Sequence, residues 1–396
     1  MLNQYYHNLI ENQKKLTEWF SKIYEELELP FYGSVDVRFS GSKVSVVDAN
    51  YFPAGFNNLS DDLIPELSSA LQNYFYKKYN DDIKHVHIFP ESHTRNVGYI
   101  ENILRLKEIV EKAGYNVSIG SPELNGYNLL EGISEDLILD NVSVNENNNL
   151  EIKGKIPDLI ILNNDLTGGI IPGLSGLVEP PVQMGWQNRR KSNHYLHLET
   201  LVNQVSDILQ IDPWILMPMW KVCEEKCLEF ENCTEKLAKD IDELIEKIKL
   251  KYEYYGIDTE PVVFVKNDRG TYGLGIISVK KGDEIKNLSK RKIKRLTYGK
   301  GGTSAENFLI QEGVPTSLMH ESSVLEHVGY TIGGKKTHWF FRTNGKKSEL
   351  DNLNSASSKF LLPTQVNEEL MASEKLDWID LVSKLSFIAM SKEMND

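Results

Sequence analysis

Residues 261–284 read PVVFVKNDRGTYGLGIISVKKGDE: an apolar, β-branched run ends in Lys266, and a glycine-rich loop follows at once. Glycine lets backbone N–H groups approach an anion closely and curl into the concave conformations that bind phosphate. The order of the parts excludes three phosphate-binding motifs. A P-loop has its lysine after the glycines. The dinucleotide fingerprint is G-x-G-x-x-G between a strand and a helix, whereas Gly270, Gly273 and Gly275 lead into IISV, a second strand. A protein kinase carries the glycine loop first and the lysine on the next strand. What remains is strand, lysine, glycine loop, antiparallel strand, an order that sets the ammonium beneath a phosphate and the loop above it. The plainer alternative is a β-hairpin whose glycines serve only the turn.

The chain around this stretch has 396 residues, 40% hydrophobic and 26% charged, an ordinary globular composition with room for two or three cores. Its net charge of −13 argues against nucleic acid as a partner, because a backbone binder needs a basic field to displace counterions. The opening MLNQYYHNLIENQKKLTEWF alternates polar and apolar residues at helical spacing, so neither a signal peptide nor a membrane span is expected and the cytoplasm is the default. The three cysteines, Cys223, Cys227 and Cys233, lie in a helix-like segment with no C-x-x-C pair and read as reduced thiols. His93, His194 and His197 read as ordinary polar positions, since zinc needs three or four ligands.

Periodicity divides the chain. An amphipathic helix runs to about Leu27, and two alternating runs around Ser40-Gly41-Ser42 form a hairpin. A helix from about Ser60 follows. KHVHIFP, the helix ending at Gly114 and YNVSIG make a βαβ unit, and IPDLIILNND adds a third strand. The asparagine-rich DNVSVNENNNLEIKGKIPD reads as a surface hairpin or insertion. We therefore expect an α/β substrate domain of Rossmann-like type over 1–210 and a helical connector over 211–260. Short strands separated by glycine turns then give a mainly antiparallel α+β nucleotide domain over 261–396.

The lysine and glycine hairpin resembles the nucleotide clamp of ATP-grasp enzymes. Downstream, FLIQEGV resembles the hinge of that fold, where the backbone around Gln311, Glu312 and Val314 meets the adenine edge. The resemblance assigns the ribose to Glu321 and nucleotide phosphates to Lys266 and the loop residues Thr271, Gly273 and Gly275. It gives Arg342, in THWFFRTNG, the bridge between the phosphates and an acyl phosphate, with Arg342 and Lys266 as the catalytic charges. Asp351, Asn352 and Asn354, in ELDNLNS, supply hard oxygens for Mg²⁺.

Two strings, DANYFPAGFNN and GWQNRRKS, together with FPESHTRNVGYIENI, FVKNDRGTYGLGI and DNLN, resemble the proteobacterial glutamate-cysteine ligase family of the ATP-grasp type over most of the chain. The sequence departs from it in SASSKF, after Asn354, where a Pro-Gly turn is absent. The resemblance implies ATP and Mg²⁺ as cofactors, and glutamate and cysteine as substrates. The γ-carboxylate is activated as an acyl phosphate and then attacked by the amine, giving γ-glutamylcysteine for glutathione synthesis. Such a pocket holds two carboxylates and an ammonium. Arg38, Arg95, Arg189 and Arg190 are the candidates for the carboxylates. Asp48, Asn50, Asn57 and Asn58 are those for the ammonium, and Lys191 reaches the phosphates. Another amino-acid ligase of the same fold and an ATP-binding regulatory module remain as alternatives.

Overall fold

The computed structural model describes residues 1–224, 231–269, 275–298, 307–355 and 357–396. The expected N-terminal helix is two helices, α1 (Leu2–Glu11) and α2 (Gln13–Glu26), because the Asn12 side chain bonds the Asn8 carbonyl and competes with the helical ladder. The hairpin β1 (Tyr32–Phe39) and β2 (Val44–Asn50) turns at Ser40-Gly41-Ser42 as expected. A short 3₁₀ turn at Asp61–Leu63 then leads into α3 (Ile64–Tyr79), with Pro65 in its first turn, where no N–H is missed.

The βαβ unit is present as β3 (His85–Pro90), α4 (Val97–Lys112) and β4 (Asn116–Ile119). Two short hairpins follow, β5 (Leu129–Leu130) with β6 (Leu137–Ile138), and β7 (Val142–Val144) with β8 (Leu150–Ile152), the latter in the asparagine-rich segment. β9 (Leu159–Asn163) and β10 (Val178–Glu179) complete a parallel sheet in the order β10-β9-β3-β4. Every residue of β9 is buried, as a parallel strand covered on both faces requires.

The second half begins with α5 (Lys191–Leu209), β11 (Trp220–Cys223) and α6 (Glu231–Tyr255). The hairpin quoted at the outset is β12 (Val263–Asn267) and β13 (Ile276–Val279), antiparallel, with α7 (Asp283–Lys286) and α8 (Lys290–Thr297) after it. β14 (Phe308–Glu312), β15 (Met319–His320), β16 (Ser323–Ile332), β17 (His338–Thr343), β18 (Lys359–Leu361) and α9 (Ser373–Glu393) end the chain. A small antiparallel sheet runs β11-β14-β12-β13.

The large antiparallel sheet runs β18-β17-β16-β1-β2, with β15 paired to β16. Two expectations are corrected here. The boundaries at 210 and 261 cut across the sheets, because β1 from the first half pairs with β16 from the second. The 211–260 segment is not a purely helical connector, because β11 is an edge strand of the small sheet; Cys223 accordingly sits buried in a strand rather than a helix. Cys227 lies outside the described residues. The fold is mixed α/β. α9 is buried on most of its surface, packing against α5, β2 and β1, as a helix with apolar residues all round must.

Candidate functional site

Three sheets meet around one cavity of about 650 Å³. Its floor is one face of the large sheet, and strand register determines which side chains share it. Residues i, i+2 and i+4 of a strand point the same way, so Ser34, Asp36 and Arg38 of β1 all face the cavity. Across the sheet they begin three rows: Arg38 beside Glu326, Arg342 and Phe360; Asp36 beside Asp48, Val328 and Phe340; Ser34 beside Asn50 and Tyr330.

The charges of the first row are buried, and Asp36 in the second is partly so, which calls for partners. Arg342 donates from Nη1 to Asp36 at 2.7 Å and to Glu326 at 2.8 Å. Burial opposes the Arg342 charge, but these two carboxylates outweigh it and hold the guanidinium above its usual pKa. Burial raises the Asp36 carboxyl more than Arg342 lowers it. Arg38 places Nε 2.5 Å from Glu326 and donates to the carbonyls of Glu349 and Asp351 at 2.7 and 2.8 Å. Nη1 and Nη2 are thereby engaged in hydrogen bonds, and Nε in the ion pair alone. Arg38 anchors the 349–354 loop instead of standing free for a substrate carboxylate.

The small sheet roofs one end. Lys266, the last cavity-facing position of β12, donates to the Val47 carbonyl at 2.9 Å, and Lys191, at the start of α5, meets Asp48 at 2.5 Å. Burial lowers the Lys266 ammonium to about 8 against the pull of Asp48. Burial pushes Asp48 up, but Lys191 and Lys266 together hold its carboxyl below the usual range. Phe264, Ile276 and Val314 give this end apolar walls, and the Gln311 side chain bonds the Tyr195 hydroxyl at 2.5 Å. Gly275 closes the hairpin at φ +72°, a backbone conformation that glycine reaches without strain. Thr271 and Gly273 lie outside the described residues.

The Phe56–Asn58 turn after β2 and the segment from β3 into α4 add Asn57, Asn58, His93, Asn96 and Tyr99 to the lining. Gly55 permits this approach: a Cβ there would stand 2.7 Å from the Tyr330 hydroxyl. The Asn57 Oδ1 is buried without a hydrogen-bond partner, as a subsite awaiting a donor would be. Asn50 also lines the cavity while its side chain closes a turn with the Phe52 backbone.

Several expected site residues are placed elsewhere. Glu321 is exposed in the β15–β16 turn at φ +51° and does not line the cavity; Glu326, the fourth residue of β16, does. Arg189 is buried in an ion pair with Glu393, 2.8 Å from Nε, and bonds the Ala49 carbonyl at 2.6 Å. Arg190 turns away to backbone carbonyls of Asn188 and Arg189. Arg95 is exposed on the loop before α4, outside the cavity lining. The Glu312 carboxylate is locked in the core by Lys43 at 2.7 Å, the Trp214 indole and the Met219 N–H, so only its backbone is available to a ligand. Sequence reading passed over Asp36 and Glu326, whose signal was a carboxylate inside an otherwise apolar strand.

Asp351, Asn352 and Asn354 line the cavity beside the charged row. Among the described residues no group of three His, Cys, Asp or Glu side chains forms a metal cage. One Asp351 oxygen accepts twice from Ser348. That donor set suits Mg²⁺, which keeps its waters and binds through one or two protein oxygens and substrate phosphates.

A cavity lined by Lys191 and Lys266, by Arg38 and Arg342 of the large sheet and by the amides of Asn57 and Asn58 is suited to setting an anion against a small polar substrate. The chain belongs to the glutamate-cysteine ligase (GshA) family, whose profile matches residues 7–394, and is an ATP-dependent ligase. A solved structure from Methylobacillus flagellatus KT, provisionally named a gamma-glutamylcysteine synthetase, is 33% identical over all of this chain and 96% of that one, with a TM-score of 0.90. A glutathione synthetase-like effector from Globodera pallida is 9% identical over 92% of this chain and 85% of that one, with a TM-score of 0.44, too distant to bear on the site. No curated protein matches the sequence.

Proposed function

We propose that the protein joins the γ-carboxylate of glutamate to the amine of cysteine at the expense of ATP, the first step of glutathione synthesis, on an ATP-grasp architecture. The observation that carries this reading is that Lys266, Lys191, Arg342, Asn57 and Asn58 all line one cavity. ATP lies between the small and large sheets, its base against Phe264, Ile276 and Val314 and its phosphates toward Lys266 and Lys191. Asp351, Asn352 and Asn354 would hold Mg²⁺, which would supply positive charge against the phosphates.

Arg342 then faces both the transferred phosphoryl group and the γ-carboxylate. It enters the reaction with its orientation already determined by Asp36 and Glu326, so little reorganisation accompanies charge transfer. No nucleophilic side chain is required, because alignment and charge supply the rate. No helix among the described residues is long and apolar enough to cross a membrane.

The test is ADP release from purified protein with ATP and Mg²⁺, glutamate and cysteine being added singly and then together, with the product identified by mass. Release that needs both amino acids and yields γ-glutamylcysteine is expected. Release with a different pair, or nucleotide binding without release, contradicts the substrate assignment.

A further inference from the structure

Ligation needs the acceptor nitrogen as a free amine, yet an amino acid at neutral pH presents an ammonium. The arginine row and the two lysines cannot take that proton, because they serve as positive charges. Among the groups lining the cavity, the His93 imidazole is chemically suited to it. His93 lines the cavity and is one-third exposed, and its Nε2 lies 2.7 Å from a carboxylate oxygen of Glu91, whose side chain is only 8% exposed. The other Glu91 oxygen accepts from the Asp165 N–H at 3.5 Å. The Tyr99 hydroxyl accepts from the Glu91 N–H at 2.8 Å and donates to the Asn163 carbonyl at 2.6 Å, and the Tyr99 ring stands perpendicular to the imidazole at 5.3 Å. The imidazole is thus held by a carboxylate and an aromatic edge that belong to the end of the parallel sheet.

A carboxylate on Nε2 selects the tautomer with hydrogen there and leaves the lone pair on Nδ1. We infer that His93, oriented by Glu91, is the general base that deprotonates the acceptor amine. This rests on the ligase reading above. Nδ1 takes one proton from the ammonium, and the nitrogen lone pair forms the C–N bond at the activated acyl carbon. The bond from that carbon to the phosphate oxygen breaks, phosphate leaves with the electron pair, and the second nitrogen proton passes to solvent or phosphate.

Hydroxylamine separates this role from a structural one, because it is largely unprotonated at neutral pH and needs no base. The full-length protein and its His93→Gln and Glu91→Gln variants are compared with ATP, Mg²⁺ and glutamate, the acceptor being cysteine or hydroxylamine. His93→Gln is expected to slow the cysteine reaction by about 10²-fold or more, the usual contribution of a general base. γ-Glutamyl hydroxamate formation should fall far less. Glu91→Gln, which keeps the shape of the positioning group, should shift the ratio of the two rates in the same direction by a smaller factor. An equal loss with both acceptors, or no loss with cysteine, overturns the assignment while leaving the ligase reading intact. A wild-type protein inactive with both acceptors overturns the ligase reading and the inference together.

Discussion

Lys266 shows at the scale of one residue how burial and function meet. Its ammonium is useful to a phosphate only while charged, and burial has lowered it from 10.5 to about 8. On the activity side, kcat/KM for ATP should therefore fall as pH rises through about 8, a limb that reports the free enzyme. Lys266→Arg, which stays charged, should lack that limb; a limb unchanged in the variant would remove Lys266 from the phosphate site. On the stability side the sign is opposite. Between about 8 and 10.5 the unfolded chain keeps a proton that the folded protein has released, so this lysine's contribution to stability rises with pH there. Arg38 makes a second case. Its bonds to the Glu349 and Asp351 carbonyls need the fork of a guanidinium, which lysine lacks. Arg38→Lys should loosen the 349–354 loop and raise the Mg²⁺ concentration for half-maximal activity several-fold, with the KM for glutamate little changed. The reverse pattern would return Arg38 to the substrate pocket.

At the scale of elements, α9 is tied to β2 by charge. Glu393, near its C-terminal end, takes Arg189 at 2.8 Å and the His194 Nδ1 at 2.6 Å, while Arg189 bonds the Ala49 carbonyl next to Asp48. Burial alone would raise the Glu393 carboxyl, but Arg189 and His194 lower it from 4.5 to about 2. The stability this carboxylate contributes is full above about 4.5 and is lost as pH falls toward 2. Glu393→Ala leaves the Arg189 charge buried and unpaired, at a cost of about 3–5 kcal/mol. Urea denaturation at pH 7 should show that loss, and between pH 4.5 and 2 the variant should depend less on pH than the parent. A midpoint unchanged at pH 7 would deny the ion pair its structural role.

At the scale of the whole molecule, the large sheet joins the two ends of the chain. β16 pairs with β1 from Tyr32↔Ile332 to Val37↔His327, so the second half alone exposes an unpaired central strand edge. Residues 211–396 expressed alone should show no cooperative thermal transition, in contrast to the full chain. A cooperative transition in that fragment would establish an independent domain after all. The same sheet explains why the site has no single-domain origin: its floor needs β1, β2, β16 and β17 together, its roof needs β12 and β14, and its far wall comes from loops around β3 and β9.

Elements with strong local signals were legible in the sequence. The βαβ unit, the hairpin at Ser40-Gly41-Ser42 and the lysine and glycine hairpin each rest on periodicity or turn chemistry within a few residues. The resemblance carried by the order of Lys266, the hinge and Arg342 implied one cleft, and these residues line one cavity. Partnership across the chain was not legible. A charged side chain looks alike in sequence whether it faces a substrate or a buried counter-ion. Arg189 proved to be the partner of Glu393, Arg38 the anchor of a loop and Glu321 an exposed turn residue, while Glu326 reached the site. Tertiary structure decided those roles: the sheet brings β1 and β16, about 290 residues apart, onto one floor, and the packing of α9 against α5 brings Glu393 to Arg189.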